Sequence, residues 1–205
     1  IDLAEKEGRF AQDANIPLQF GQHIGGSIAM NVERRDQEVE IKRVSLTSVA
    51  DENIPVTNKE NKNTFAVIIA HENYQSVASV PYALNDGNIF REYCLKTLGI
   101  PEKQIKYVPN ATGNQIKAQV NWLQNICEVF EDAHVIFYYA GHGIPDESSK
   151  TAYLLPVDGI GTDVTTGYKL DNLYAALGSL PVENVTVFMD ACFSGSKREE
   201  GMLAS

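Results

Sequence analysis

From Thr64 onward, apolar and polar positions alternate between two periods. Phe65 to Ala70 is a run of apolar, uncharged side chains, too short for a helix, which is the pattern of a parallel strand buried on both faces. From about Ala83 to Leu98 the period changes: Phe90, Cys94 and Leu98 step by four along one helical face, and Gly99 and Pro101 end the element. Ile105 to Val108 reads as the next strand. Thr112 with Gln115 forms a capping box, and Ile116, Val120, Leu123, Cys127 and Phe130 give the helix it opens a buried stripe. Val135 to Ala140 is a third strand, and Tyr153 to Val157 a short extended piece running into a proline turn. Leu170 to Leu177 predicts a third helix and Val185 to Met189 a fourth core strand. Strands alternating with helices predict an α/β fold: a mostly parallel central sheet with helices on both faces, in three layers.

Residues 1–60 differ. Glu38 to Ala50 alternates apolar and polar side chains at Val39, Ile41, Val44 and Leu46, with one slip, and Gly25-Gly26 interrupts the apolar positions Ile24 and Ile28. Asn58 to Asn63 is polar, charged and free of apolar anchors, the composition of a linker. The expected division is a β-rich N-terminal extension and linker over 1–60 and a second unit over 61–205. The chain begins at Ile1 rather than Met, so a lost signal peptide and a lost upstream domain are equally compatible, as are export and a cytoplasmic location.

Composition narrows the function classes. The 205 residues are 43% hydrophobic and 21% charged, ordinary for a soluble globular protein, and the longest apolar run, Val135 to Ala140, falls far short of the ~18 residues of a membrane span. A net charge of -10 argues against a nucleic-acid partner, which needs a clustered basic face, and suits a cationic substrate. Three cysteines exclude a disulfide scaffold and leave at least one thiol to explain.

That thiol stands where ligands bind in such sheets, beyond the carboxyl ends of the strands. Val135 to Ala140 runs into Gly141-His142-Gly143, and Val185 to Met189 runs into Asp190-Ala191-Cys192-Phe193-Ser194-Gly195. If the two strands are neighbours, ~4.8 Å apart, an imidazole and a thiol emerge side by side. An imidazole helps a thiol become the attacking thiolate. Glycines around His142 leave room for a substrate, with the backbone N–H of Gly143 and that of Cys192 facing a developing oxyanion. Cys94 and Cys127 fall on core stripes. His134 reads as structural and His71 as a loop residue.

Cysteine peptidases of the caspase type carry a Gln-Ala-Cys loop followed by a short pattern ending in Gly, with the histidine ~50 residues upstream; here the loop reads Asp190-Ala191-Cys192-Phe193-Ser194-Gly195 and the interval from His142 to Cys192 is fifty positions. With Tyr139-Ala140-Gly141-His142-Gly143, Leu154-Leu155-Pro156-Val157-Asp158 and Met189-Asp190-Ala191-Cys192 in this order, Thr64 to Ser205 resembles the large-subunit region of the caspase-like peptidases. The likeness is strongest to their bacterial, metacaspase and paracaspase branches. It implies a hydrolase, a cysteine endopeptidase with a Cys192–His142 dyad. Animal caspases have Gln two places before the cysteine and Arg after it, where this chain has Asp190 and Phe193. In the metacaspase and paracaspase branches an acid at the first of these places, with an aspartate opening the first helix, forms a pocket for Arg or Lys. Asp86 matches that second acid, so the resemblance implies cleavage after Arg and secondarily Lys, though Asp86 also suits a plain helix N-terminus. An acid beside a nucleophilic thiol hinders its ionisation, so Asp190 must be useful in another way.

The fold of these peptidases continues through further strands and helices that this sequence does not carry. The resemblance therefore implies a small-subunit chain completing the fold, and Lys197-Arg198 is the expected processing site. Some metacaspases bind calcium, but Asp146, Glu147, Asp158 and Asp163 lack the regular spacing of an oxygen-ligand loop and read as solvated surface; no cofactor is required. The competing readings are a non-catalytic caspase-like interaction module, or an inactive fragment lacking its small subunit. A dinucleotide binder is set aside, because His71-Glu72-Asn73-Tyr74 stands where its glycine-rich turn belongs.

Overall fold

The computed structural model describes residues 32–35, 38–41, 53–130, 132–146 and 148–191, with side chains from residue 53 onward. The chain divides into two compact units, 1–52 and 53–205. In the first, β1 (Val32–Arg35) and β2 (Glu38–Ile41) pair antiparallel, so the alternating segment around Val39 and Ile41 is a strand at its amino end.

The second unit follows the predicted alternation. β3 (Thr64–Ala70), β4 (Ile105–Pro109), β5 (His134–Ala140) and β9 (Asn184–Asp190) form a wholly parallel sheet in the order β4-β3-β5-β9. All of β3 is buried, as its uninterrupted apolar run requires. One face carries Phe65, Val67, Ile69, Val135, Phe137 and Tyr139 against α2 (Gly113–Cys127) and α3 (Leu170–Gly178). The other carries Ala66, Ile68, Tyr138 and Ala140 against α1 (Ala83–Lys96). This is the three-layer α/β/α arrangement, stabilised by roughly 1.5–3 kcal/mol for each buried Val, Ile, Leu or Phe side chain.

Local chemistry sets the helix ends. Thr112 and Gln115 make both halves of the capping box, and the Asp158 carboxylate accepts the Gly113 N–H at 2.9 Å, tying the loop that contains Asp158 to the start of α2. α1 begins at Tyr82 with no cap from its own side chain; the Glu72 carboxylate, from the loop after β3, accepts the Leu84 N–H at 3.3 Å instead. α1 stops at Lys96, two residues short of the expected end, so Leu98 lies past the helix and is 43% exposed instead of buried. Phe130 likewise falls beyond α2 and is half exposed.

The structure departs from the sequence reading in three places. A second, antiparallel sheet, β6 (Gly143–Asp146), β7 (Thr151–Leu154) and β8 (Tyr168–Lys169), follows directly on the Gly-His-Gly loop. Its strands are too short and too rich in polar residues to show a period. Asn58 to Asn63, read as a linker free of anchors, and the residues just before them are stitched to the end of α1 by their backbone: Thr57 N–H donates to Lys96 O (2.9 Å), Asn61 N–H to Gly99 O (2.8 Å) and Thr97 Oγ1 to Pro55 O (2.6 Å). Gly99 makes this possible, because it sits at φ +68° and a Cβ there would lie 1.9 Å from the Lys59 carbonyl oxygen. Finally, His71 lies in the loop after β3, as expected, but is completely buried there, with Nδ1 3.0 Å from Leu155 O and Nε2 without a partner.

Two predictions follow from these anchors. Gly99→Ala should lower stability by about 1–3 kcal/mol and speed tryptic cleavage at the exposed Lys59 and Lys62; unchanged melting and digestion would show that the stitching contributes nothing. Burial lowers the His71 pKa from 6.5 to about 4, so the folded state keeps it neutral while the unfolded chain takes up its proton. Its contribution is therefore intact above pH 6.5, is lost progressively down to about pH 4, and amounts to about 3 kcal/mol at the low end. Urea unfolding at pH 7, 5.5 and 4 should show a shallower acid decline in His71→Gln than in the wild type, and parallel declines would contradict the assignment.

Candidate active site

The pairing of β5 with β9 sets the site. The two strands run parallel in register with Ala140 opposite Asp190, and the ladder continues one step as the Gly141 N–H donates to Asp190 O at 3.1 Å. His142 therefore leaves the sheet two residues after the register pair, and in sequence Cys192 stands two residues after Asp190. Cys192, Lys197 and Arg198 lie outside the described residues.

His142 is held by its backbone and by its ring. Its N–H donates to the Tyr74 hydroxyl at 2.7 Å, and its carbonyl accepts from the Tyr139 hydroxyl at 2.8 Å and from Leu155 N–H at 3.0 Å. The Tyr74 ring lies against the imidazole, centroid to centroid 4.8 Å. Nε2 is 2.9 Å from the carbonyl oxygen of Ala78. A carbonyl only accepts, so Nε2 carries the proton and Nδ1 of the neutral ring keeps the lone pair a base needs. Gly141 makes the cluster possible: at φ +155°, an added Cβ would meet the Tyr74 hydroxyl at 2.6 Å and both Tyr139 Oη and His71 Cβ at 3.0 Å.

Gly143 opens β6 opposite Leu154, and the neighbouring pair, His142 with Leu155, is the hydrogen-bonded one. Pairs in an antiparallel ladder alternate, so the Gly143 N–H points away from β7.

Asp86 and Asp190 come from different elements, the first turn of α1 and the last residue of β9, and both side chains are exposed. Tyr138 reports on both. Burial raises its hydroxyl pKa first, and the charges of Asp86 and then Asp190 raise it further. Two carboxylates thus share the field at the α1 side of the sheet's carboxyl edge. Below them the Phe90 ring stacks on Tyr138 at 4.4 Å and meets Phe188 at 5.0 Å.

The remaining candidates are occupied elsewhere. Cys94 and Cys127 are buried in the core; burial pushes the Cys94 thiol up to about 12 and raises that of Cys127, which makes both poor nucleophiles. His134 pairs with Glu183 at 3.1 Å at the opposite end of the sheet. The Asp146 carboxylate accepts from the Ser148 and Ser149 hydroxyls, which hold it down at about 2, and Asp163 accepts from Thr165. Among the described residues no group of three or more His, Cys, Asp or Glu side chains is placed to hold a metal ion, and no helix is long and apolar enough to cross a membrane.

Tyr74, Tyr139 and the Ala78 carbonyl were not picked out by the sequence reading. Tyr139 carried a usable signal, since a tyrosine on the buried face of a strand needs a partner for its hydroxyl, and it lies just before the Gly-His-Gly turn. A main-chain carbonyl such as Ala78 O has no sequence signature.

No curated protein matches this chain. Among solved structures it is similar to protein GSU0716 from Geobacter sulfurreducens, with 19% sequence identity and a TM-score of 0.51, over 65% of this chain and 52% of that one. The likeness is one of fold, and the chain spans about half the length of that structure. Residues 63–204 match the family model described as the caspase domain of the C14 peptidases, so this chain belongs to the caspase-domain family.

Proposed function

We propose that the protein is a cysteine endopeptidase that cleaves after arginine, and secondarily after lysine, with Cys192 as nucleophile and His142 as base. The observation that carries this reading is the β5–β9 register, with Ala140 opposite Asp190, in combination with the Nε2–Ala78 bond that leaves His142 Nδ1 as the basic atom. Nδ1 takes the thiol proton of Cys192, and the thiolate attacks the scissile carbonyl carbon. The backbone N–H groups of Gly143 and Cys192 receive the oxyanion, Gly143 being oriented away from its ladder. The His142 imidazolium then gives its proton to the leaving amine as the C–N bond breaks. Water, deprotonated by the same imidazole, hydrolyses the thioester.

Specificity rests on Asp86 and Asp190. Two carboxylates at one edge suit a planar cation that bonds to both, and a guanidinium does this more completely than an ammonium. Lys197-Arg198 meets the same preference and is the proposed site of self-processing. The small-subunit chain remains a proposal as well. Supporting it, β9 pairs only with β5 among the described residues, and Phe188 on its α1 side is 44% exposed.

Matched fluorogenic peptides ending in Arg, Lys or Asp test the reading. Arg should be cut fastest, Lys more slowly and Asp not at all, with all activity lost in Cys192→Ala. Asp86→Asn and Asp190→Asn should each lower kcat/KM for Arg by about 10–100-fold, the worth of one charge-assisted bond. Cleavage after Asp would overturn the acidic pocket, and activity persisting in Cys192→Ala would overturn the nucleophile. A chain that is folded but inert, even with its small subunit supplied, would favour a non-catalytic interaction module.

A further inference from the structure

We infer that Tyr74 is a positioning residue for His142, holding the imidazole through a closed ring of hydrogen bonds; this rests on the reading of His142 as the base. The ring follows from counting protons. The Tyr74 hydroxyl accepts the His142 N–H at 2.7 Å, so its own proton goes elsewhere, and the Tyr139 hydroxyl is hydrogen-bonded to it. The Tyr139 proton in turn has two carbonyls in reach, His142 O at 2.8 Å and Leu155 O at 3.1 Å, and the shorter bond goes to His142, since Leu155 O already accepts from His71 Nδ1. The sequence of donors is thus His142 N–H to Tyr74 Oη, Tyr74 O–H to Tyr139 Oη, and Tyr139 O–H back to His142 C=O. Both main-chain polar groups of His142 are committed to two phenols, Tyr139 buried and Tyr74 half-buried, and the Tyr74 ring lies tilted against the imidazole.

The surroundings make the arrangement stiff. Burial pushes the Tyr74 hydroxyl up to about 12 and that of Tyr139 well above its ordinary value, so both remain neutral donors throughout the working pH range. Neutral His71 wedges beneath them, edge-on to Tyr74 at 5.9 Å and to Tyr139 at 5.3 Å, with its Nδ1–H spent on Leu155 O. Gly141 admits all three rings, since any Cβ there would strike them. Tyr74 comes from the loop after β3 and Tyr139 from β5, so the ring of bonds fixes the His142 loop against two strands at once. His142 lies between glycines, and its backbone would otherwise be the most adaptable part of the site. A base displaced by about 1 Å costs about 100-fold in rate.

The test compares Tyr74→Phe, which removes the acceptor and keeps the ring, with Gln104→Met. The latter removes two buried hydrogen bonds, to Lys62 O and Thr64 O, at the far end of the sheet. Two quantities are read on the full chain: kcat and KM for an Arg peptide, and the rate at which iodoacetamide alkylates Cys192 at pH 7, located by peptide mapping. Tyr74→Phe should lower kcat about 10–100-fold with KM unchanged, and slow alkylation toward the rate in His142→Ala. Gln104→Met should lower the melting temperature and leave both readings at wild-type values. Wild-type kcat and alkylation in Tyr74→Phe, with Cys192→Ala inactive, would overturn the positioning role alone. Equal alkylation rates in wild type and His142→Ala would overturn the base on which it rests, and the alkylation arm decides this even where turnover is absent.

Discussion

The parallel register between β5 and β9 is the constraint on which the site depends. Side chains alternate along a strand, so a slip of one residue would move Val135, Phe137 and Tyr139 from the α2–α3 face to the α1 face and expel Ile136, Tyr138 and Ala140 the other way. Both faces of β5 are packed against helices, and the cost of exchanging a tyrosine for an alanine in a packed layer fixes its register firmly. With Ala140 opposite Asp190, the chain leaves each strand at the same height. Nothing further is needed to bring the Gly-His-Gly loop and Asp190-Ala191 to one edge of the sheet.

From that edge inward, the site is built chiefly on main chain. His142 is fixed through its own N–H and C=O, its Nε2 is fixed by a carbonyl, and the proposed oxyanion donor is the N–H of Gly143. Backbone groups on strands move less than long side chains, so this construction favours a single geometry. The side chains that assist, buried Tyr139 and His71 and half-buried Tyr74, are neutral, which keeps their hydrogen bonds independent of pH above the range in which His71 titrates. The two acids proposed for specificity lie at the other side of the sheet edge, where Asp86 and Asp190 both act on Tyr138.

Much of this was readable in the sequence because it depends on local pattern. The uncharged run at Phe65 to Ala70, the Thr112–Gln115 box and the stripe from Ile116 to Cys127 each declare an element by themselves. His142 and Asp190 were legible because strand ends followed by glycine or by an acid are unusual. What escaped is non-local. Glu72 caps a helix from twelve residues away, the polar segment at 53–61 is anchored through its backbone to α1, and the β6–β7–β8 sheet is held by pairing rather than by apolar period. His71 escaped because its surroundings depend on Tyr139, which packs against it from 68 positions further along the chain.

The most direct measurement of the central claim is covalent capture. A peptidyl-arginine acyloxymethyl ketone, which alkylates a thiolate only when its arginine is seated beside it, would be reacted with the full chain and the adduct located by tandem mass spectrometry. The account predicts one adduct, on Cys192, formed far more slowly in His142→Ala and competed away by an arginine peptide but not by an aspartate peptide. An adduct on Cys94 or Cys127, or labelling of Cys192 indifferent to both His142 and the arginine, would contradict it.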